Sequence, residues 1–191
     1  PHENNSSRDG RLVFHASIGR VYTPTDQPLI GPLELLRDTS KGERWFQVVD
    51  NRTFEVEKRV DMGQKMEEAA YPDHSSAVRP MAISPNERYF YPQLSFLHGF
   101  IEYDLKRDKV VRVLELPDRS GVSREEYLLD SAHHGLAMNP RGTKLCAAGT
   151  MSDYGAIVRR KDFDFELIEV GEKPYWATNT ADGRFCFMSV S

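Results

Sequence analysis

Apolar and polar positions alternate with a period of two along much of the chain, as where Ile101, Tyr103 and Leu105 interleave with Glu102, Asp104 and Lys106. That spacing places successive side chains on opposite faces of a strand and argues against a helix. The alternation is broken by polar turns in WFQVVDNRTFEVEKRVDMG, FIEYDLKRDKVVRVLELP and AIVRRKDFDFELIEVGE, so each predicts a hairpin. A second hairpin recurs between them, in HENNSSRDGRLVFHA, RPMAISPNERYFYPQ, HGLAMNPRGTKLCAAG and PYWATNTADGRFCFMSV. Its corners read Ser7-Arg8-Asp9-Gly10, Ser84-Pro85-Asn86-Glu87, Asn139-Pro140-Arg141-Gly142 and Thr180-Ala181-Asp182-Gly183. Pro at the second place and Gly at the fourth suit tight turns of type I.

One hairpin of each kind makes a unit of four antiparallel strands, and a radial series of such units is a β-propeller. The expected fold is therefore all-β: a propeller of four-stranded antiparallel blades, about three and a half of them present, part of a seven-bladed ring. Blade 1 is expected over about 1–63, blade 2 over 79–117, blade 3 over 133–171, and the start of blade 4 over 173–191. Corner first residues lie 77, 55 and 41 residues apart. The surplus falls in an insertion, Thr23 to Gly42, and in two long connections, Gln64 to Ser76 and Asp118 to Ser131. Connections of that length carry function or small structures of their own. The chain starts without Met and stops within an apparent second strand, which predicts an N-terminus upstream and further blades from missing sequence or a second chain.

The SPxG-like corners and the paired-hairpin unit resemble the YVTN family of β-propeller repeats, without its literal tetrapeptide. That family is similar in architecture to the amine dehydrogenase large subunit and the haem d1 domain of nitrite reductase. The resemblance implies the fold. It implies no activity, because such propellers host many.

Lys and Arg number 25 against 29 Asp and Glu, well mixed, for a net charge of −4. No nucleic-acid or membrane partner is expected from that field. Mean hydropathy is −0.56 and no run reaches the length of a membrane span, so the protein is expected to be soluble, cytoplasmic or exported. Cys146 and Cys186 fall at nearly the same place in consecutive repeats and are expected to be two packed, reduced thiols. Trp45, Phe46, Phe100, Tyr103, Phe165 and Trp176 are expected in the core, with Met138, Met151 and Met188 filling gaps.

Inner strands of a propeller open at its central channel, so the residues just before them converge. Five positions back from each corner stand His2, Arg79, His134 and Tyr175, with Lys173 competing for the last place. This cationic and aromatic channel mouth is the candidate site for a small molecule or a partner protein, with Arg79 able to fork a carboxylate. No cofactor is expected beyond a copper or zinc ion that His2, His133 and His134, joined by His98, would suit. The histidine pair resembles the channel histidines of nitrous oxide reductase, whose other motifs are absent here. His15 and His98 read as hydrogen-bonded sheet residues and His74 as a solvated loop residue. The carboxylates Glu67, Glu68, Asp73, Asp130 and Asp153 are expected on loops. No nucleophile elbow, phosphate-binding glycine loop, CxxC pair or HExxH helix occurs. Three functions compete: a ligand- or protein-binding scaffold, a channel-centred enzyme (an oxidoreductase component, metal-dependent or lactonase-like), and a half-propeller completed by dimerisation.

Overall fold

The computed structural model describes residues 2–18, 44–127 and 131–191. The insertion expected over 23–42 and the candidate Asp130 lie outside them. The first sheet runs in sequence order through β1 (Glu3–Ser6), β2 (Leu12–Ala16), β3 (Phe46–Asp50) and β4 (Val56–Val60). After a helix, α1 (Met62–Glu68), the second sheet follows as β5 (Val78–Ile83), β6 (Tyr89–Leu94), β7 (Gly99–Asp104) and β8 (Lys109–Glu115). The third holds β9 (Leu136–Met138), β10 (Lys144–Gly149), β11 (Tyr154–Arg159) and β12 (Phe165–Glu169). A two-stranded sheet, β13 (Ala177–Asn179) with β14 (Cys186–Met188), comes last. Strand β5 packs against β1 and β9, and β9 against β13, so the first strands of successive sheets stand side by side. The chain is a partial β-propeller of about three and a half blades.

The corner residues explain why each inner hairpin closes where it does. Ser7 Oγ accepts the Leu12 N–H and donates to Asp9. Ser84 does the same with Tyr89 and Asn86, Thr180 with Phe185 and Asp182, and Asn139 Oδ1 takes the Lys144 N–H. A short polar side chain thus satisfies backbone that the tight turn would orphan. The fourth corner residue adopts a left-handed φ in every copy, between 55° and 72°, which three copies meet with glycine and the second with Glu87.

Each space between blades is its own core. Between the first two blades Phe46 and Phe90 stack at 3.8 Å beside Phe14 and Met66. Between the second and third, Tyr91, Phe100, Leu145 and Tyr154 pack together. A buried ion cluster fastens that second space. Glu102, 4% exposed, accepts from Tyr91 Oη at 2.7 Å and pairs with Arg112, whose guanidinium donates to the Arg160 carbonyl at 2.8 Å.

Several expectations need correction. The connection after β4 is no plain loop: the Asp61 carboxylate caps α1 by accepting the Gln64 N–H, and Met62 and Met66 point into the core. Glu67 and Glu68 are therefore helical, and Glu68 pairs with Lys65 at 2.8 Å. Phe165 and Trp176 are 38% and 43% exposed rather than core, because no described element covers the outer face of the third blade's last strand or the fourth hairpin. The cysteines are not separate thiols. Cys146 and Cys186 form a disulfide that ties β10 to β14. The corner hydrogen bonds Asn139 N to Lys144 O and Thr180 N to Phe185 O mark equivalent places, so Cys146 is the second residue beyond that mark and Cys186 the first. A one-residue offset turns the two side chains to opposite faces of their blades and hence toward each other. No helix among the described residues is long and apolar enough to cross a membrane.

Candidate functional site

His2, His134 and Tyr175 occupy equivalent positions by backbone bonding as well as by count. Their N–H groups donate to Ala16 O, Ala148 O and Ser189 O respectively, each fourteen residues on. Tyr175, not Lys173, is therefore the fourth-blade member. Lys173 is exposed, has φ of 43° and donates its backbone N–H to Asp153. Arg79 lies within β5, whose register shifts between Val78 and Met81, where Pro80 supplies no N–H.

The side chains converge across blades. His2 Nε2 meets His134 Nε2 at 2.8 Å, although their strands belong to the first and third blades. The contact requires both rings to reach past the second blade toward the axis. Tyr175 stacks on His134 with centroids 3.8 Å apart and planes 14° from parallel. Trp176 stands edge-on to His134 at 5.0 Å and 6.2 Å from His2. Arg79 is 2% exposed and its Nε donates to Ser95 Oγ at 2.8 Å.

Burial, with the Arg79 charge behind it, lowers His2 to about 4. Burial, then His2, then Arg79 lower His134 to about 3. Both rings are neutral at neutral pH, so one donates the shared Nε2–H and the other accepts it. The arrangement offers a fixed cation, a hydrogen-bonding imidazole pair and two further aromatic rings.

Two residues that no motif singled out hold this geometry. Gln93, fully buried, accepts the Gly135 N–H at 2.9 Å and donates to the Gly135 carbonyl at 3.2 Å. It clamps the backbone that presents His134. Its signal was a lone amide in the otherwise apolar stretch YFYPQLSF. Gly135 itself has no room for a side chain, since a Cβ would sit 2.6 Å from Tyr175 O and 2.9 Å from Ala177 N. The other missed residue is Glu3, next to His2. Its carboxylate accepts the Met81 N–H at 2.6 Å, and burial raises it to about 6 against the pull of that bond. Glu3 also lines a cavity of about 420 Å³ between the inner strands, with Asn5, Met81, Met138 and Asn179.

The three histidines of the metal expectation are not brought together. His133, with no exposed surface, turns away from the mouth: its Nε2 meets Tyr154 Oη at 3.1 Å, and Tyr154 donates in turn to Pro117 O. His98 lies against His133 edge to face at 5.6 Å and bonds Tyr127 Oη at 2.7 Å. Among the described residues no three His, Cys, Asp or Glu side chains are placed to share a metal ion. His15 bonds Asn4 at 2.6 Å, as a sheet histidine would. Burial lowers His74, which is not the fully solvated residue expected. Asp73 and Asp153 are turn residues with left-handed φ.

No family model matches the chain, and no curated protein does. Solved structures do. Hydrazine synthase of Kuenenia stuttgartiensis superposes with a TM-score of 0.64 at 13% identity, over 100% of this chain and 42% of that one. The WD40 repeats of RRP9 give 0.60 at 11% identity, over 92% of this chain and 40% of that one. Dihydro-heme d1 dehydrogenase NirN, in complex with DHE, gives 0.59 at 15% identity over 99% and 32%. The chain thus spans less than half the length of each. Identities this low carry the fold and no activity, and the fold they share with this chain is the β-propeller.

Proposed function

We propose that this chain supplies part of a propeller scaffold that binds a small anionic ligand at its channel mouth, through Arg79, His2, His134 and Tyr175. The contact between His2 and His134 carries the reading, because it brings polar side chains of non-adjacent blades to one place, where a ligand at the mouth would meet both. The Arg79 charge acts on His2, His134 and Tyr175 together, and a negative ligand placed among them would be favoured by each. The repeat pattern supports kinship with YVTN-type propellers as the setting for such a site. Neighbours named as enzymes support an enzymatic reading no further than the fold does.

The test is a thermal-shift series with citrate, inorganic phosphate and sulfate on the chain and on His134→Gln, which keeps a planar polar group. Ligand at about 100 times its Kd should stabilise by about 2.7 kcal/mol. A shift with at least one anion that disappears in His134→Gln supports the mouth. No shift with any anion, or one that survives the substitution, removes the proposal.

A further inference from the structure

We infer that the groove between the second and third blades is a docking site for an acidic peptide segment, a stretch of a partner protein that presents carboxylate side chains to Arg160 and Lys161. The inference does not depend on the ligand at the mouth.

The groove is a cavity of about 510 Å³ whose lining includes Tyr89, Glu102, Arg112, Thr143, Arg160 and Lys161. It opens at the corner end of the blades: Thr143 follows the turn that closes β9 onto β10, whereas His134 stands at the other end of β9. Both blades that form it have all four strands, so its openness owes nothing to the uncovered fourth hairpin.

The cations of the groove are unequally matched. Arg112 is engaged through all three nitrogens: Nε donates to Glu102 at 2.6 Å, and Nη1 and Nη2 donate to the carbonyls of Lys161 and Arg160. Arg159 is held by Asp162 at 2.8 Å and Asp164 at 3.0 Å. Arg160 has no such carboxylate. Its Nε donates to Tyr91 Oη and its Nη1 to the Gly142 carbonyl, but its Nη2 stays 3.8 Å from Glu102, beyond hydrogen-bond reach. Glu102 already serves Arg112 and Tyr91, so one buried carboxylate answers two guanidinium groups. Lys161 is exposed, and its ammonium has no carboxylate partner among the described residues. A guanidinium carries five N–H donors and an ammonium three, so both side chains keep donors for a ligand. The Arg160 guanidinium lies 5.0 Å from the Tyr89 ring centroid, which fixes it in place before any ligand arrives.

Size and charge point to the kind of ligand. A lone ion would fill little of the groove, and the Tyr89 ring gives it an apolar wall on which the methylenes of a glutamate can lie. The chain as a whole carries a net charge of −4, so its overall field repels an acidic partner and only a local cationic site would retain one.

Fluorescence anisotropy at pH 7 with fluorescein-labelled hexaglutamate, and with hexalysine as its opposite, tests the assignment. Hexaglutamate should bind and hexalysine should not. Lys161→Glu, at an exposed position with no ion pair to lose, should weaken hexaglutamate by at least about tenfold. Lys161→Arg should retain binding, and Arg52→Glu, the same change of charge on the first blade, should leave it within about twofold. Free glutarate at matched carboxylate concentration should displace the peptide at least about tenfold less well than unlabelled hexaglutamate does. Absence of hexaglutamate binding, equal binding of hexalysine, an undiminished affinity in Lys161→Glu or an equal loss in Arg52→Glu overturns the inference. Displacement by glutarate as effective as by the peptide overturns it in favour of a free small acid. His134→Gln should bind hexaglutamate as the parent chain does; a loss there would put the peptide at the mouth and overturn the groove.

Discussion

Replacing Cys146 and Cys186 by serine removes the covalent tie between the third blade and the fourth hairpin. The bridge closes 40 residues, which in the chain-entropy treatment limits the unfolded state by about 4 kcal/mol at 25 °C. For a chain of this size each kcal/mol moves the midpoint by about 2–4 °C, so loss of the bridge should lower Tm by about 8–16 °C if unfolding is one transition. The outer face of the fourth hairpin adds little to hold it. Phe185 and Phe187 are 58% and 60% exposed, and its main strand contacts run through β13 to β9 and β10. Local release should therefore appear first, as protease cleavage within 171–176, ahead of global unfolding. Differential scanning calorimetry and limited proteolysis would be run on the serine pair and on the parent chain with and without dithiothreitol. Reduction leaves every side chain in place, so any excess loss in the variant measures the hydroxyl buried at position 146, about 1–3 kcal/mol. Two alkylatable thiols in the denatured, unreduced protein, or a serine pair that melts within about 2 °C of the parent, would refute the argument.

Gly135→Ala should cost several kcal/mol and abolish binding at the mouth, because the new methyl meets two backbone atoms of the fourth-blade entry that have no rotamer to change; urea denaturation with anion titration measures both. Arg112→Met should destabilise by up to about 3–5 kcal/mol in urea melts by leaving the buried Glu102 with Tyr91 and the more distant Arg160. A Glu102→Gln, Arg112→Met double variant should recover part of that loss. Acid should destabilise the fold. His2, His133 and His134 are held near 4, 3 and 3 against 6.5 when free, so the unfolded chain takes up protons first. Their contribution is complete above pH 6.5 and is lost as pH falls toward 4, by up to about 1.4 kcal/mol per pH unit for each. Glu3, raised from 4.5 to about 6, works in the opposite direction between those values and returns a part. A urea midpoint that stays flat or rises from pH 7 to pH 5 would contradict the burial of the three imidazoles.

Much of the architecture was legible because it depends on local chemistry. Ser7, Ser84, Asn139 and Thr180 recur where a turn needs a side-chain acceptor for a backbone N–H five residues on, and that demand is the same in every blade. Counting from those corners singled out His2, His134 and Tyr175, whose rings lie in contact across blades. Counting failed where a single residue of register decides the outcome. Cys146 and Cys186 look equivalent in the repeat but differ by one place, and one place in a strand is the difference between facing apart and facing together. The adjacent His133 and His134 also part: one meets His2, and the other makes buried contacts to Tyr154 and His98.

What could not be read was support that works between blades. Gln93 acts on Gly135 from 42 residues away, and Arg112 acts on the carbonyls of Arg160 and Lys161 from nearly 50. Neither belongs to a repeat position, and neither has a sequence signature beyond a polar residue in an apolar stretch or a charge on a strand. Of the two, the Gln93 contact bears on His134, since it holds the neighbouring Gly135 against the second blade. At the proposed site the chemistry would therefore come from residues that the repeat exposes, and the geometry from residues that break the repeat. Substitutions of the first kind should change which ligand binds. Substitutions of the second kind should weaken every ligand alike.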